Sequence, residues 1–511
     1  MKKRLIAALL TLSTAAMVLT GCGSSKDSGS SQTTAAAAED AGAADAGTAD
    51  TSKEVELVMY VVSDRPAGQD VVDENLNKLL KEKLNCTLKI NWIGWAEYAQ
   101  KYPMLYSSGE SFDMAYCAGW LNFSNLARKG AFKSLDDLLP QYAPKNYAMQ
   151  SESALSQATI DGHLYAVPTL LPTYTTYGSI YRGDIAAEAG ITDPVDTFDE
   201  IEQFCDFVLE NHPEMEPIEM YSSGPELALV NTRSIGYKDL DSGLRYVYYD
   251  PSEENPVVTP VYDIEGMDEF YARMKTWCDK GYWSKSALSD TDSTKTQNGK
   301  AALRFHNVDS WASLCVLHPE WDFQYGVMTK DIAHLPYTQD CMVISNTSKN
   351  PERAMMLWDL LTTDQEAYDA FYYGVLDTTY TLNEEGQFTI TDPDLYGTNA
   401  MWAVRTMDLN RNQAGVPESY DTMREDWEKT IKADQGAERF TGFVLDTTNI
   451  TTEVAACTNA EQQYGWPLQL GYTDNVEASI ADYKKAMQAA GIDKVVEECQ
   501  KQLDAYIAAQ K

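Results

Sequence analysis

Apolar and polar positions change their period along the chain, and the changes mark its elements. Residues 54–62 alternate and then become wholly apolar, the pattern of a strand whose second half is buried. The polar stretch Ser63-Asp64-Arg65-Pro66-Ala67-Gly68 breaks it. Residues 70–84 carry apolar side chains at 71, 72, 76, 79, 80 and 84, one stripe of a helix. A strand is expected over 86–92, a helix over 95–107, and a third, nearly all-apolar strand over 112–117 that ends in Ala118-Gly119-Trp120. Strand, helix, strand, helix, strand opens an α/β lobe with a parallel sheet. Ligands of such sheets sit beyond the carboxyl ends of the strands. Here those ends carry Asp64, Arg65, Trp92, Trp95 and Trp120.

The N-terminus follows another pattern. Lys2, Lys3 and Arg4 precede an apolar run, 5–19, interrupted only by Thr11, Ser13 and Thr14, and then comes Leu19-Thr20-Gly21-Cys22. The run is too short to cross a bilayer comfortably and reads as a secretory signal, 1–21. The small residue followed by cysteine resembles the lipobox of bacterial lipoproteins. That resemblance implies a diacylglycerol on the sulfur of Cys22, which becomes the mature N-terminus on the outer face of the cell membrane. Residues 22–53 are Gly, Ser, Ala and Thr with scattered acids, and no large apolar residue precedes Val55. Such a segment buries too little to offset its ordering entropy, so it reads as a flexible linker with a reach of roughly 30 Å.

The remaining length exceeds what one compact core holds, so two lobes are expected. The formal charge is −37, and loss of the signal takes the mature chain to about −40. Phosphate binding needs clustered Lys and Arg, so nucleic acid is excluded as a partner. The eight cysteines after Cys22 include no Cys-x-x-Cys pair, which removes zinc-ribbon and thioredoxin chemistry. Most stand in apolar contexts and read as buried free thiols.

Further along, Leu135-Asp136-Asp137-Leu138 is followed by Ile160-Asp161-Gly162-His163-Leu164-Tyr165-Ala166-Val167-Pro168. This order resembles the extracellular solute-binding proteins of ABC importers, of the maltose-binding type. Tyr181-Arg182-Gly183-Asp184 with Gly190-Ile191, the capping-box pair Thr197 and Glu200, Lys349-Asn350-Pro351-Glu352, and Ala490-Gly491-Ile492-Asp493 resemble later elements of that family. The C-terminal stretch resembles the tail of a Gram-positive lipoprotein branch, a DUF3502-like region. The resemblance implies a type 2 periplasmic-binding-protein-like α/β fold: two lobes, each a mostly parallel sheet flanked by helices, with the ligand cleft between them. Mapped here, lobe one is 54–168 and 301–345. Lobe two is 169–300 and 346–511, with a helical region at about 440–511.

No His-x-x-x-His, Gly-x-Ser-x-Gly, Walker or Gly-x-Gly-x-x-Gly motif is present, and neither catalysis, a metal nor a cofactor is expected. Binding is the better reading. A sugar ring offers an apolar face to a flat aromatic and a rim of hydroxyls to carboxylates, amides and arginines. Candidates are Asp64, Arg65, Trp95 and Trp120 at strand ends, Tyr174 and Tyr177 after the first crossing, and His306, Asn307 and Trp311 after the return strand. Trp283, Tyr337 and Trp402 complete the set. The resemblance implies an oligosaccharide as ligand, the importer's permease subunits as partners, and a monomer. The competing readings are a polysaccharide-active lipoprotein enzyme, a surface glycan adhesin, or a receptor for a peptide or anion.

Overall fold

The computed structural model describes residues 50–511, apart from 96, 222–225, 242, 330–332, 434–438, 441 and 510–511. The signal, Cys22 and residues 22–49 of the linker lie outside the described residues. The rest forms one compact unit built on two sheets.

The strand Val55–Val62 pairs in parallel with Cys86–Ile93 along its whole length, Val55 opposite Cys86 and Val62 opposite Ile93. Between them the helix Gln69–Leu84 buries Val72, Leu76 and Leu80, spaced four apart and therefore on one face. Asn85 stops the helix in the left-handed region (φ 48°), its N–H donating to Lys81 O, so the chain turns directly into the next strand. Met114–Cys117 adds in parallel on the other side of the first strand. Cys341–Ile344 and then Val167–Pro168 close the sheet, both pairings antiparallel, with the proline at the edge where no ladder N–H is needed.

The second sheet has Tyr177–Tyr181 at its heart, antiparallel both to Gln324–Val327 and to Ala301–Asn307, with Glu216–Ile218 parallel at the far edge. The helix Phe198–Asn211 opens on the expected capping box: Thr197 Oγ1 accepts from Glu200 N, and Glu200 Oε2 accepts from Thr197 N. The Asp161-Gly162 pair, both at positive φ, makes the tight turn of a small hairpin between Thr159–Ile160 and His163–Leu164.

The two-lobed α/β class is as the resemblance implied, and in each sheet one strand, Cys341–Ile344 in the first and Tyr177–Tyr181 in the second, runs against the others. The boundaries of the lobes need correction beyond the first crossing. Ala301–Asn307 is hydrogen-bonded between Tyr177–Tyr181 and Glu216–Ile218, so it belongs to lobe two, not lobe one. The chain returns later: Ala333–His334 runs antiparallel to Tyr174–Thr175 before Cys341 enters the first sheet. After 345 it stays in lobe one, because the helices Pro351–Thr363 and Gln365–Tyr372 bury Leu357, Trp358, Leu361 and Phe371 in the first core. Ala414 N still bonds Phe388 O there, and only beyond it does the helix Glu418–Ala433 pack Trp427 and Ile431 in lobe two. Alternation of apolar runs could not show this, since both lobes offer similar buried surfaces to the same kind of helix.

All eight cysteines among the described residues are free and buried. No described helix is long and apolar enough to cross a membrane.

Candidate functional site

Between the two cores lies a cavity of about 370 Å³. Lobe one borders it with Tyr98 and Trp120. Lobe two borders it with Glu226, Arg245, Tyr246 and Tyr248, and with Glu461, Gln462, Trp466 and Gln469 from the C-terminal helices.

The lobe-one wall is a stack of indoles. Trp95 lies against Trp120 (6.1 Å between ring centroids, 28° between planes) and against Trp402 (6.2 Å, 21°). Tyr98 meets Trp95 and Trp120 edge-on, each at 5.7 Å. Trp95 remains 41% exposed, so an apolar aromatic surface faces solvent at the end of the second strand. Behind the stack, Arg405 and Asp340 form an ion pair at 2.5 Å, Tyr116 Oη donates to Asp340 Oδ1 at 2.6 Å, and Arg405 Nε donates to Trp402 O. That lock fixes the backbone carrying Trp402. The same corner holds the first crossing, since Leu170 N and Thr169 Oγ1 both donate to Arg405 O.

The lobe-two wall mixes aromatic rings with charged and amide groups. Arg245 faces Glu226 at 3.9 Å, and Glu226 Oε2 is buried with no hydrogen-bond donor among the described residues. Glu226 also lines a second, much smaller pocket with Glu219 and Arg304. Its charge acts on Tyr177, whose hydroxyl is pushed up to about 12 by burial and then by Glu226, and on His306, whose burial lowers its pKa.

Of the residues expected from sequence, Trp95, Trp120 and Trp402 come together as one surface. Tyr177 and His306 lie beside each other (6.2 Å) next to Glu226, with Arg233 over the Tyr177 ring at 5.1 Å. Tyr337 is on a turn, Tyr337–Gln339, packed against the turn Gly119–Leu121 that carries Trp120. Asp64 lies against Gly94, next to Trp95, and Arg65 is exposed and paired with Asp70. The other four have structural roles, and burial corrects three of them, Trp283, Trp311 and Tyr174. Trp283 is 2% exposed and donates to Leu470 O in the lobe-two core. Trp311 is 4% exposed and donates to Phe323 O. Asn307 caps the helix Val308–Leu317 by accepting from Ser310 N, and Tyr174 is buried in the crossing strands. Each is a large or polar side chain at a site where the lobe core, not the cleft, was nearer. The lobe-two wall was missed entirely. Its only local signal was Gln462-Gln463-Tyr464-Gly465-Trp466-Pro467, an aromatic among amides beside a proline.

Two sheets flanked by helices, with a cavity between the cores they build, make a two-lobed α/β fold. A family model described as bacterial extracellular solute-binding protein matches residues 65–206, and the domain of unknown function DUF3502 matches 439–508. A carbohydrate ABC transporter substrate-binding protein of Streptococcus pneumoniae serotype 4 (strain ATCC BAA-334 / TIGR4) is 25% identical over 474 residues, covering 91% of this chain and 93% of the relative. The N-glycan transport solute-binding protein NgtS of Streptococcus pneumoniae superposes with a TM-score of 0.74 at 23% identity, over 89% of this chain and 100% of that one. Its complex with Man5GlcNAc superposes at 0.71, with 23% identity over 89% and 99%. These matches make the chain similar to bacterial extracellular solute-binding proteins.

Proposed function

We propose that this protein is a lipid-anchored receptor that binds an oligosaccharide in the cleft and hands it to the permease subunits of an ABC importer. One observation carries the reading: a cavity bordered on one lobe by Tyr98 and by Trp120, an indole that packs against Trp95, and on the other by Trp466 with carboxylate, amide and guanidinium groups. Sugar rings need that division, an apolar face for C–H groups and planar polar groups for hydroxyls. The names of the relatives, a carbohydrate transporter subunit and a glycan-binding receptor, support the same class. Arg245 is the only cation bordering the cavity among the described residues, and it faces Glu226, which argues against an anionic ligand.

Closure of the lobes about the crossing strands supplies the signal to the permease. It needs a ligand that favours the closed state over the open one. The linker lets a receptor held by Cys22 turn freely yet stay near its importer at high effective concentration.

A glycan-active enzyme has two carboxylates bordering the cavity in its favour, Glu226 and Glu461. One experiment separates the readings. The protein without its signal is mixed with a panel of neutral oligosaccharides, with tryptophan fluorescence, thermal shift and reducing ends all measured. A bound glycan at 100 times its Kd adds about 2.7 kcal/mol and releases no reducing ends. Reducing ends that accumulate with time refute the receptor, and failure of every glycan to shift fluorescence or melting refutes the sugar.

A further inference from the structure

The C-terminal stretch matched by the family of unknown function supplies much of the lobe-two wall. Thr458, Glu461, Gln462, Trp466 and Gln469 all border the cavity and all lie within 439–508. Their placement comes from an irregularity in the backbone. The helix Thr451–Ala460 runs into a π-turn, Glu461–Gly465, and then into the short helix Trp466–Gln469. A π-turn inserts one extra residue per turn, which re-aims the side chains that follow it. Glu461 folds over Gly465, where an added Cβ would lie 2.4 Å from Glu461 Oε2, so only glycine fits beneath the carboxylate.

Glu461 is 5% exposed and oriented from two sides. Gln469 Nε2 donates to its Oε1 at 2.7 Å, and Tyr483 Oη, from the next helix Val476–Ala490, donates to its Oε2. A carboxylate offers about four acceptor sites, so these two bonds fix its plane and leave capacity on the cavity side. The segment is also tied to the lobe-two core, because Leu470 O accepts from Trp283 Nε1 and Tyr472 Oη donates to Ser284 O. Trp466 is half-buried beside it, and Gln462 is exposed. An indole, an oriented carboxylate and two amides on a rigid mount are the complement of a neutral, hydroxyl-rich ring.

Resting on the reading of the cleft as an oligosaccharide site, we propose that segment 439–508 is the selectivity wall of that site. Trp466 packs against a sugar ring opposite the lobe-one indoles, and Glu461 and Gln462 receive ring hydroxyls. The segment decides which glycans are kept, while the lobe-one indoles supply sequence-tolerant apolar contact.

The test is calorimetric titration of the signal-free protein with Man5GlcNAc and a panel of other neutral oligosaccharides. Wild type is compared with Trp466→Ala, Gln462→Ala, Glu461→Gln and Trp120→Ala. Circular dichroism and melting confirm folding, and the exposed Gln462 keeps the test informative if Glu461→Gln is unstable. The expected result is a tenfold or greater loss for Trp466→Ala and a changed rank order of glycans for Gln462→Ala or Glu461→Gln. Trp120→Ala should weaken the whole panel and keep its order. If Trp466→Ala and Gln462→Ala keep both affinity and order while Trp120→Ala loses binding, the selectivity wall is overturned and the receptor stands. If wild type binds no glycan, the receptor reading fails and the inference falls with it.

Discussion

Trp95 and Trp402 stack at 6.2 Å with their planes 21° apart, although one lies just beyond the second strand of the molecule and the other enters lobe one only after the chain has visited lobe two. Trp95 therefore packs against two indoles, Trp120 and Trp402, each on a separate element.

Removing the far indole should loosen the near ones. Trp402→Ala deletes one side of the stack without altering the cavity border, and Trp120→Ala deletes the border itself. An aromatic pair contributes about 1 kcal/mol beyond area burial. The expected loss of glycan affinity is then about fivefold for Trp402→Ala and more than tenfold for Trp120→Ala, read by calorimetry. Equal affinity in all three proteins would place the ligand elsewhere.

Arg405 and Asp340 sit behind that stack, with side chains 23% and 10% exposed. Deleting one member of a largely buried pair leaves the other charge uncompensated, at a cost of about 3 kcal/mol. Arg405→Ala also removes one of the two hydrogen bonds to Trp402 O, the one from Arg405 Nε, and leaves the one from the backbone N–H of residue 405. It should therefore lower the melting temperature by several degrees and weaken ligand binding together. A variant with normal melting would mean that water or another donor compensates Asp340.

The lobes touch away from the cavity as well. Asn125 Nδ2 donates to Thr447 Oγ1 at 3.2 Å, and Arg128, 3.4 Å from Asp161 in its own lobe, reaches Asp446 at 3.7 Å. These contacts exist only when the lobes are together. Asn125→Ala should shift the population toward the open form and reduce glycan affinity a few-fold, although Asn125 is not at the cavity border. Small-angle scattering of the ligand-free protein should show a larger radius of gyration than wild type. An unchanged radius and affinity would remove these contacts from the closing equilibrium.

Much of lobe one was legible in the sequence because its elements are local. The period-2 and period-3.6 stretches between 54 and 117 became Val55–Val62, Gln69–Leu84, Cys86–Ile93, Tyr98–Ser107 and Met114–Cys117, and strand ends indicated Trp95 and Trp120. The lobe-two wall was not legible. Glu226, Arg245 and Glu461 reach one cavity through contacts far apart in sequence, and an isolated Glu in an acidic chain carries no signal of its own. Trp283 and Trp311 erred in the opposite direction, since an indole fills a core as readily as a cleft and local pattern does not distinguish the two.

Glu461 makes stability depend on pH in a direction opposite to that of most carboxylates. Burial raises its pKa from 4.5 to about 7, against the hydrogen bonds from Tyr483 and Gln469 that pull it down. Below pH 4.5 the carboxyl is protonated in both the folded and the unfolded chain, and it costs nothing. Between pH 4.5 and 7 the unfolded chain releases the proton while the folded one retains it, so stability falls as pH rises. Above pH 7 the full penalty stands, about 3 kcal/mol from a shift of this size. Glu461→Gln cannot titrate and also exchanges one accepting oxygen for a donor, which subtracts a constant amount at every pH. The difference in unfolding free energy between Glu461→Gln and wild type, from urea titrations at pH 5, 6, 7 and 8, should therefore move in favour of the variant as pH rises and level off above 7. A difference that stays flat across the series would mean that Glu461 is already ionised at pH 5, with Tyr483 and Gln469 fully offsetting its burial.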